Sequence, residues 1–216
     1  MNEIDPSAID AWFADEGVIC TRDGKSNTLS NTYIDLFNEM LSKYTDYIKI
    51  YTDGSTKESN NGCAVIFNDT EFLHKLPTAY TSFSCEAYAI NEAIISVLDS
   101  RHDKGIILMD SKSTLENISN LKSNNPLIIQ IQNSPYDCSL RNKEIMLAWI
   151  PSHVEIAGNK IADAAAKTAT QLPIINNTQV PPKDLNNYGY LTSGFMVNTP
   201  EWEKTPQVTV KPDVHS

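Results

Sequence analysis

Positive charge is in short supply in this sequence. Seventeen Lys and Arg stand against 27 Asp and Glu, for a net charge of −10 and a pI near 4.8. A chain that holds nucleic acid tightly by itself normally carries a basic footprint, so this balance counts against such a binder. Cysteine is sparse as well. Cys20, Cys63, Cys85 and Cys138 are scattered with no CxxC spacing, which argues against a structural zinc site and a disulfide scaffold. Cys63 and Cys85 fall in apolar segments and read as small buried hydrophobes. A reducing, intracellular compartment is expected, with nucleus and cytoplasm unresolved. No apolar run is long enough for a membrane span, and Met1 to Glu16 is acidic, unlike a secretory signal. Repeats and low-complexity tracts are missing too.

What is present suffices for one sizeable domain with extensions, or two small ones: 216 residues, of which 41% are hydrophobic. Residues 1–44 read as a leader ending in a short helix, since Tyr33, Ile34, Leu36, Phe37, Met40 and Leu41 recur near helical spacing. Tyr47 to Thr52 is rich in β-formers and predicts a strand closing at Asp53-Gly54, followed by a polar loop through Asn61. Strands follow over 62–67 and 71–76, completing an antiparallel meander that Pro77 ends. Ser84 is placed to cap a helix running to about Leu98, with Ala87, Ile90, Ile94 and Val97 on one face. Ile106 to Met109 is a short, fully apolar strand suited to a central position. Helices over 111–118 and 127–131, a strand over 144–150, a loop over 151–157 and an alanine-rich helix over 158–169 complete the pattern. A meander followed by alternating elements implies an α/β fold: a mixed five-stranded sheet, three antiparallel strands then two parallel, flanked by helices. The domain is expected over 45–170. Residues 171–216 form a proline-punctuated polar tail that adds little core, although Leu191, Phe195 and Trp202 are candidates for docking.

Asp53, Glu86, Asp110 and Asp163 each stand where a segment changes type, in the order strand, helix, strand end, helix. Carboxylates so placed can converge, and two divalent ions held by such a cluster hydrolyse phosphodiesters. Asp53 and Asp110 close strands at the edge where open α/β sheets place functional groups. Glu86 lies one turn into its helix, with Ile90 on the same face to anchor it against the sheet. Crowded carboxylates repel, and bound cations offset that cost. Each residue has a plainer reading alone. Asp53 serves as a turn residue, Asp110 as a helix cap, Glu86 as a first-turn acid favoured by the helix dipole, and Asp163 as a solvated face residue. It is the four together that point to a metal-dependent nuclease. His153 stands in the loop before the last helix, and histidine is the side-chain type that suits a proton carrier beside a departing phosphate. Ser152, Asn159 and Lys160 are placed to touch backbone phosphates, while Trp149 and Ile150 read as core.

The motifs have a counterpart. Tyr51-Thr52-Asp53-Gly54-Ser55, Ser84-Cys85-Glu86-Ala87, Asp110-Ser111-Lys112-Ser113, and Trp149-Ile150-Pro151-Ser152-His153 followed by Gly158-Asn159 and Ala162-Asp163 resemble the ordered motifs of type 1 ribonuclease H domains. The last of them, with the Ile-Tyr-Thr-Asp-Gly-Ser start, looks most like the domain of animal non-LTR retrotransposon polyproteins. The resemblance covers about Tyr47 to Lys167. It implies a ribonuclease H-like fold and cleavage of the RNA strand of RNA–DNA hybrids, leaving 5′-phosphate and 3′-hydroxyl ends. It also implies two Mg²⁺ ions per site, or Mn²⁺, held by Asp53, Glu86, Asp110 and Asp163. His153 corresponds to the histidine that assists product release. Gly54, Ser55, Ser111, Ser152 and Asn159 are the substrate-binding candidates, and the groups near Gly54, Ser55 and Glu86 would read ribose 2′-hydroxyls. A monomer without membrane association is expected, its partner being a reverse transcriptase domain in the parent polyprotein.

Two departures stand out. Glu155 occupies a usual glycine position and Lys160 a usual glutamate position, so Glu155 brings negative charge toward the substrate path and Lys160 is placed to offset it. A basic protrusion after the third helix is also missing, which predicts weak hybrid binding. The competing readings are an inactive, domesticated remnant that binds nucleic acid or protein, and a nuclease of the same fold that cuts DNA or junctions. The intact carboxylates and His153 favour the hybrid endonuclease.

Overall fold

The computed structural model of the chain describes residues 13–18, 30–58, 60–173, 180–181 and 183–184. A central sheet organises them. The strands are β1 (Phe13–Val18), β2 (Ile48–Lys57), β3 (Asn60–Phe67), β4 (Thr70–Leu76), β5 (Lys104–Met109) and β6 (Glu144–Trp149), in the spatial order β1-β6-β5-β2-β3-β4. The helices are α1 (Ser30–Ser42), α2 (Ser82–Asp99), α3 (Lys112–Ser119), α4 (Pro126–Leu140) and α5 (Ala157–Ala169). The strands β2, β3 and β4 form an antiparallel meander, and β5 and β6 run parallel to β2. This is the mixed five-stranded sheet expected from the pattern. A sixth strand, β1, joins it in parallel along β6. That strand lies in the stretch read as leader, where Phe-Ala-Asp-Glu-Gly-Val shows neither alternation nor β-branched enrichment, so its pairing comes from tertiary context.

Alternating side chains divide the core. On one face Ile50, Val65, Ile107, Met109 and Leu147 pack with Ile90, Ile94 and Val97 of α2 and with Ile128 and Ile131 of α4. On the other face Ile106, Leu108 and Ala148 pack under Tyr33, Phe37, Met40 and Leu41 of α1, while Ala64 and Ile66 pack under Ala162, Ala165 and Ala166 of α5. The alanines let α5 sit close to the sheet. A sheet buried on both sides needs near-continuous apolar central strands, which β5 supplies.

Several boundaries differ from the sequence-based expectation. The strand β2 runs through Asp53 and Gly54 to Lys57, paired residue for residue with β3 from Ile50↔Phe67 to Lys57↔Asn60. Asp, Gly and Ser are poor β-formers, but the hairpin ladder overrides that propensity. The helix α2 begins at Ser82, and its cap is Thr81, whose hydroxyl accepts from the Ser84 N–H. Ser84 itself is buried. The helix α4 continues past Ile131 to Leu140 although Pro135 lies inside it and lacks an N–H. Buried Leu127, Ile128, Ile131 and Cys138 at helical spacing hold it against the core. In the tail, Val180 packs against the main core, whereas Leu191, Phe195 and Trp202 lie outside the described residues. Cys63, Cys85 and Cys138 are free and buried, and Cys20 lies outside the described residues. Among the described residues no helix is long and apolar enough to cross a membrane.

Candidate metal centre

The register of β2 against β5 brings the first two acids together. Thr52 pairs with Met109, so Asp53 and Asp110, the next residue of each chain segment, emerge side by side from parallel strands. Glu86 reaches them because α2 crosses β2 at a glycine. A Cβ built on Gly54 would lie 2.6 Å from the Glu86 backbone nitrogen and 2.8 Å from the Cys85 carbonyl carbon. Only a residue without a side chain permits that approach. Gly54→Ala is therefore expected to destabilise the protein by about 1–3 kcal/mol, since backbone rather than a flexible side chain must move. Urea unfolding of the two proteins measures it, and equal midpoints would contradict the tight crossing.

Ligand oxygens of Asp53, Glu86 and Asp110 lie within 4.8 Å of one another. Asp53 is 6% exposed and Glu86 7%, with Asp110 half-buried. One carboxylate oxygen of Glu86, Oε2, is fully buried and has no hydrogen-bond partner. Burial and the neighbouring charges of Asp110 and Asp163 push the Asp53 carboxyl up to about 7, against smaller opposing pulls from Lys167 and the Gly54 backbone. Burial, then Asp53 and Asp110, likewise drive the Glu86 carboxyl well above its ordinary value. The site thus concentrates negative charge where water is scarce, a condition that a bound cation relieves.

Asp110 is held from two sides. Its backbone carbonyl accepts from the Trp149 indole N–H at 3.0 Å, and its Oδ2 accepts from the Asn159 side-chain amide at 3.2 Å. Asn159 is buried, with its own Oδ1 unpartnered. Trp149 reads from the sequence as plain core, and its indole N–H contact has no local signal. Asn159 sits at the start of α5, which is docked on β2 by another glycine: a Cβ on Gly158 would fall 2.2 Å from the Tyr51 ring.

Asp163 stands apart from the cluster of three. It is half-exposed on α5 and pairs with Lys167 at 2.6 Å, one turn along the helix, although its charge still reaches Asp53. His153 lies on the exposed loop before α5. Val154 and Ile156 of that loop are buried beneath α1, which turns His153 and Glu155 outward, both at φ 63°. A left-handed backbone favours glycine, so Glu155 holds a conformation that side chains rarely adopt. Glu155 here forms an ion pair with Lys160, the compensation its sequence suggests. Ser55 is half-buried in β2 opposite Gly62. Ser111 caps α3 by position, its hydroxyl 2.7 Å from that of Thr114. Ser152 is half-buried in the His153 loop.

The sequence profile of the RNase H family matches residues 45–171. The chain belongs to the RNase H family. Its α/β architecture, a mixed five-stranded sheet flanked by helices, is the RNase H-like fold. Among similar proteins is the Pol polyprotein of equine infectious anemia virus, strain Wyoming, 30% identical over 159 residues, or 70% of this chain and 13% of that protein. The Pol polyprotein of isolate 1369 is 29% identical over the same length and shares. The chain thus spans 13% of the length of these relatives. A solved structure, RNase H1 from the halophilic archaeon Halobacterium salinarum NRC-1, shows 18% identity and a TM-score of 0.44, covering 57% of this chain and 96% of that one. The viral relatives correct the narrower resemblance. The likeness runs to viral Pol polyproteins, not specifically to non-LTR retrotransposon domains. The physical reason is that short motifs around the acids follow the demands of the site itself. They are shared across the RNase H family and leave its subdivisions unresolved.

Proposed function

We propose that this RNase H domain hydrolyses the RNA strand of RNA–DNA hybrids with Mg²⁺ or Mn²⁺, two ions per site, leaving 5′-phosphate and 3′-hydroxyl ends. The observation that carries the reading is the buried cluster of Asp53, Glu86 and Asp110, its oxygens within 4.8 Å, with Glu86 Oε2 unpartnered. An oxygen-only donor set of this charge suits a hard divalent cation, so the residues present fit the group. Asp53, Glu86 and Asp110 would hold it, with Asp163 entering from the rim. When bound, such ions activate a water for attack and stabilise the leaving oxygen.

The protein's own residues have separable tasks. Asn159 fixes one oxygen of Asp110 and so orients its carboxylate within the cluster. His153, exposed and carried on a loop anchored by Val154 and Ile156, exchanges a proton near the leaving group and assists release. The backbone at Gly54 and Ser55, beside Glu86, meets ribose 2′-hydroxyls, the atoms that separate RNA from DNA. Ser111, Ser152 and Asn159 complete the substrate contacts. The catalytic unit is residues 45–170, and the acidic balance implies that a neighbouring domain of a longer polypeptide, as in a Pol polyprotein, supplies much of the affinity. The protein acts as a monomer inside the cell.

A second reading, a catalytically weak remnant, draws on the same acidity and on Lys167 and Lys160 being engaged by Asp163 and Glu155. A labelled RNA–DNA hybrid, incubated with Mg²⁺ or Mn²⁺ and compared with double-stranded RNA and DNA, separates the two. Cleavage of the hybrid alone, abolished by a chelator, is the expected result. A folded chain that leaves the hybrid intact at micromolar concentration would favour the remnant.

A further inference from the structure

The segment after the family-matched residues reaches back to the start of α2. Val180 packs against the main core, and Pro181 and Asp184 are buried. A turn closed by the Asp184 N–H donating to the Pro181 carbonyl at 2.9 Å aims the Asp184 side chain inward. Asp184 is 4% exposed, yet it carries a carboxylate. A buried carboxylate is costly unless its oxygens are bonded. Both are: Oδ2 accepts from the Thr81 backbone N–H and Oδ1 from the Thr81 hydroxyl, each at 3.2 Å.

Thr81 is the N-cap of α2, and Glu86 lies just beyond the first turn of that helix. The turn leading into Thr81 is itself fixed, since the Asn61 side-chain amide donates to the carbonyls of Pro77 and Tyr80. An acid at the start of a helix is also favoured by the helix dipole. The crossing at Gly54 packs the Cys85–Glu86 backbone tightly on β2 about one turn after the Thr81 cap, and the helix joins the two rigidly.

We infer that Asp184 is a positioning residue: held by the turn from Pro181, it clasps the N-terminus of α2 and so holds Glu86 at the carboxylate cluster. The link to metal binding rests on the reading of Glu86 given under the proposed function. The family profile ends at residue 171, so this support comes from outside the matched domain.

The test uses the full chain as wild type, Asp184→Ala, Asp184→Asn and Lys183→Ala, Lys183 being an exposed neighbour. Amide exchange is followed at Cys85 and Glu86 with Ile90 to Val97 as the internal reference, and Mn²⁺ affinity by calorimetry. Loss of a helix-capping contact corresponds to about fivefold. Exchange at Cys85 and Glu86 should therefore rise about that much in Asp184→Ala, less in Asp184→Asn and not in Lys183→Ala. Mn²⁺ binding should weaken in the same order. Unchanged exchange at Cys85 and Glu86 overturns the clasp, as does an equal acceleration through Val97, which marks lost global stability only. Faster local exchange with unaltered Mn²⁺ affinity overturns the link to Glu86. A wild type that binds no Mn²⁺ counts against the metal reading instead, and exchange at the Glu86 amide then decides the clasp alone.

Discussion

Asp110→Asn should remove hybrid cleavage, lowering the single-turnover rate by on the order of 10³-fold, equivalent to about 4 kcal/mol of transition-state stabilisation. The substitution is close to isosteric. Its side-chain oxygen can still accept from Asn159, and the backbone carbonyl still accepts from the Trp149 indole, so both contacts that seat the residue survive. What is lost is one negative charge and one ligand oxygen in a cluster whose members lie within 4.8 Å of each other. Substrate affinity should change little by comparison. Single-turnover rates and hybrid binding in Ca²⁺, measured on the same preparations, separate the two. A variant that retains more than about a tenth of the wild-type rate would remove Asp110 from the reaction and with it the cluster as the active site.

How much of this site was legible in the sequence differs from residue to residue. Asp53, Glu86 and Asp110 were accessible because each is tied to a strand or helix start that local pattern reveals. Their convergence follows from β2 and β5 being parallel neighbours in register. What local pattern did not carry was reach. Asp53 was expected at a strand end, whereas β2 continues to Lys57, because the ladder with β3 supplies hydrogen bonds that Asp, Gly and Ser do not encode by propensity. The close crossing of α2 at Gly54 is a three-dimensional fact: a glycine in a strand suggests a bulge as readily as a helix overhead. Asp163 was expected to share the cluster. Its helix position was legible, but its pairing with Lys167 one turn on and its exposure at the rim depend on how α5 docks. The Asp184–Thr81 contact joins residues far apart in the chain, and proline punctuation in the tail gives no sign that Val180 and Asp184 pack on the core.

The acids that serve the proposed chemistry should work against the fold when no cation is present, and pH exposes this. The Asp53 carboxyl lies at about 7 in the folded protein, against an ordinary 3.8. The folded state therefore binds a proton that the unfolded chain has already released, and stability falls as pH rises wherever the folded state holds more protons. Asp53's contribution is fully present below about pH 4, is lost between about pH 4 and 7, and changes no further above that. Glu86, also raised by burial and by its neighbours, acts with the same sign. At about 1.4 kcal/mol per pH unit the effect of Asp53 is of order 2–4 kcal/mol. In chelator, the melting temperature should thus fall by about 5–15 °C between pH 5 and pH 8. Asp53→Asn should flatten much of that slope and melt higher than wild type at pH 8, trading function for stability. Millimolar Mg²⁺ or Mn²⁺ at pH 8 should restore the wild type by binding the folded state alone, and should do little for the variant. Melting curves at the two pH values, with chelator and with cation, test this. A wild type whose metal-free melting temperature is level or rises from pH 5 to pH 8 would show that the buried acids are not under the mutual repulsion that makes a cation necessary.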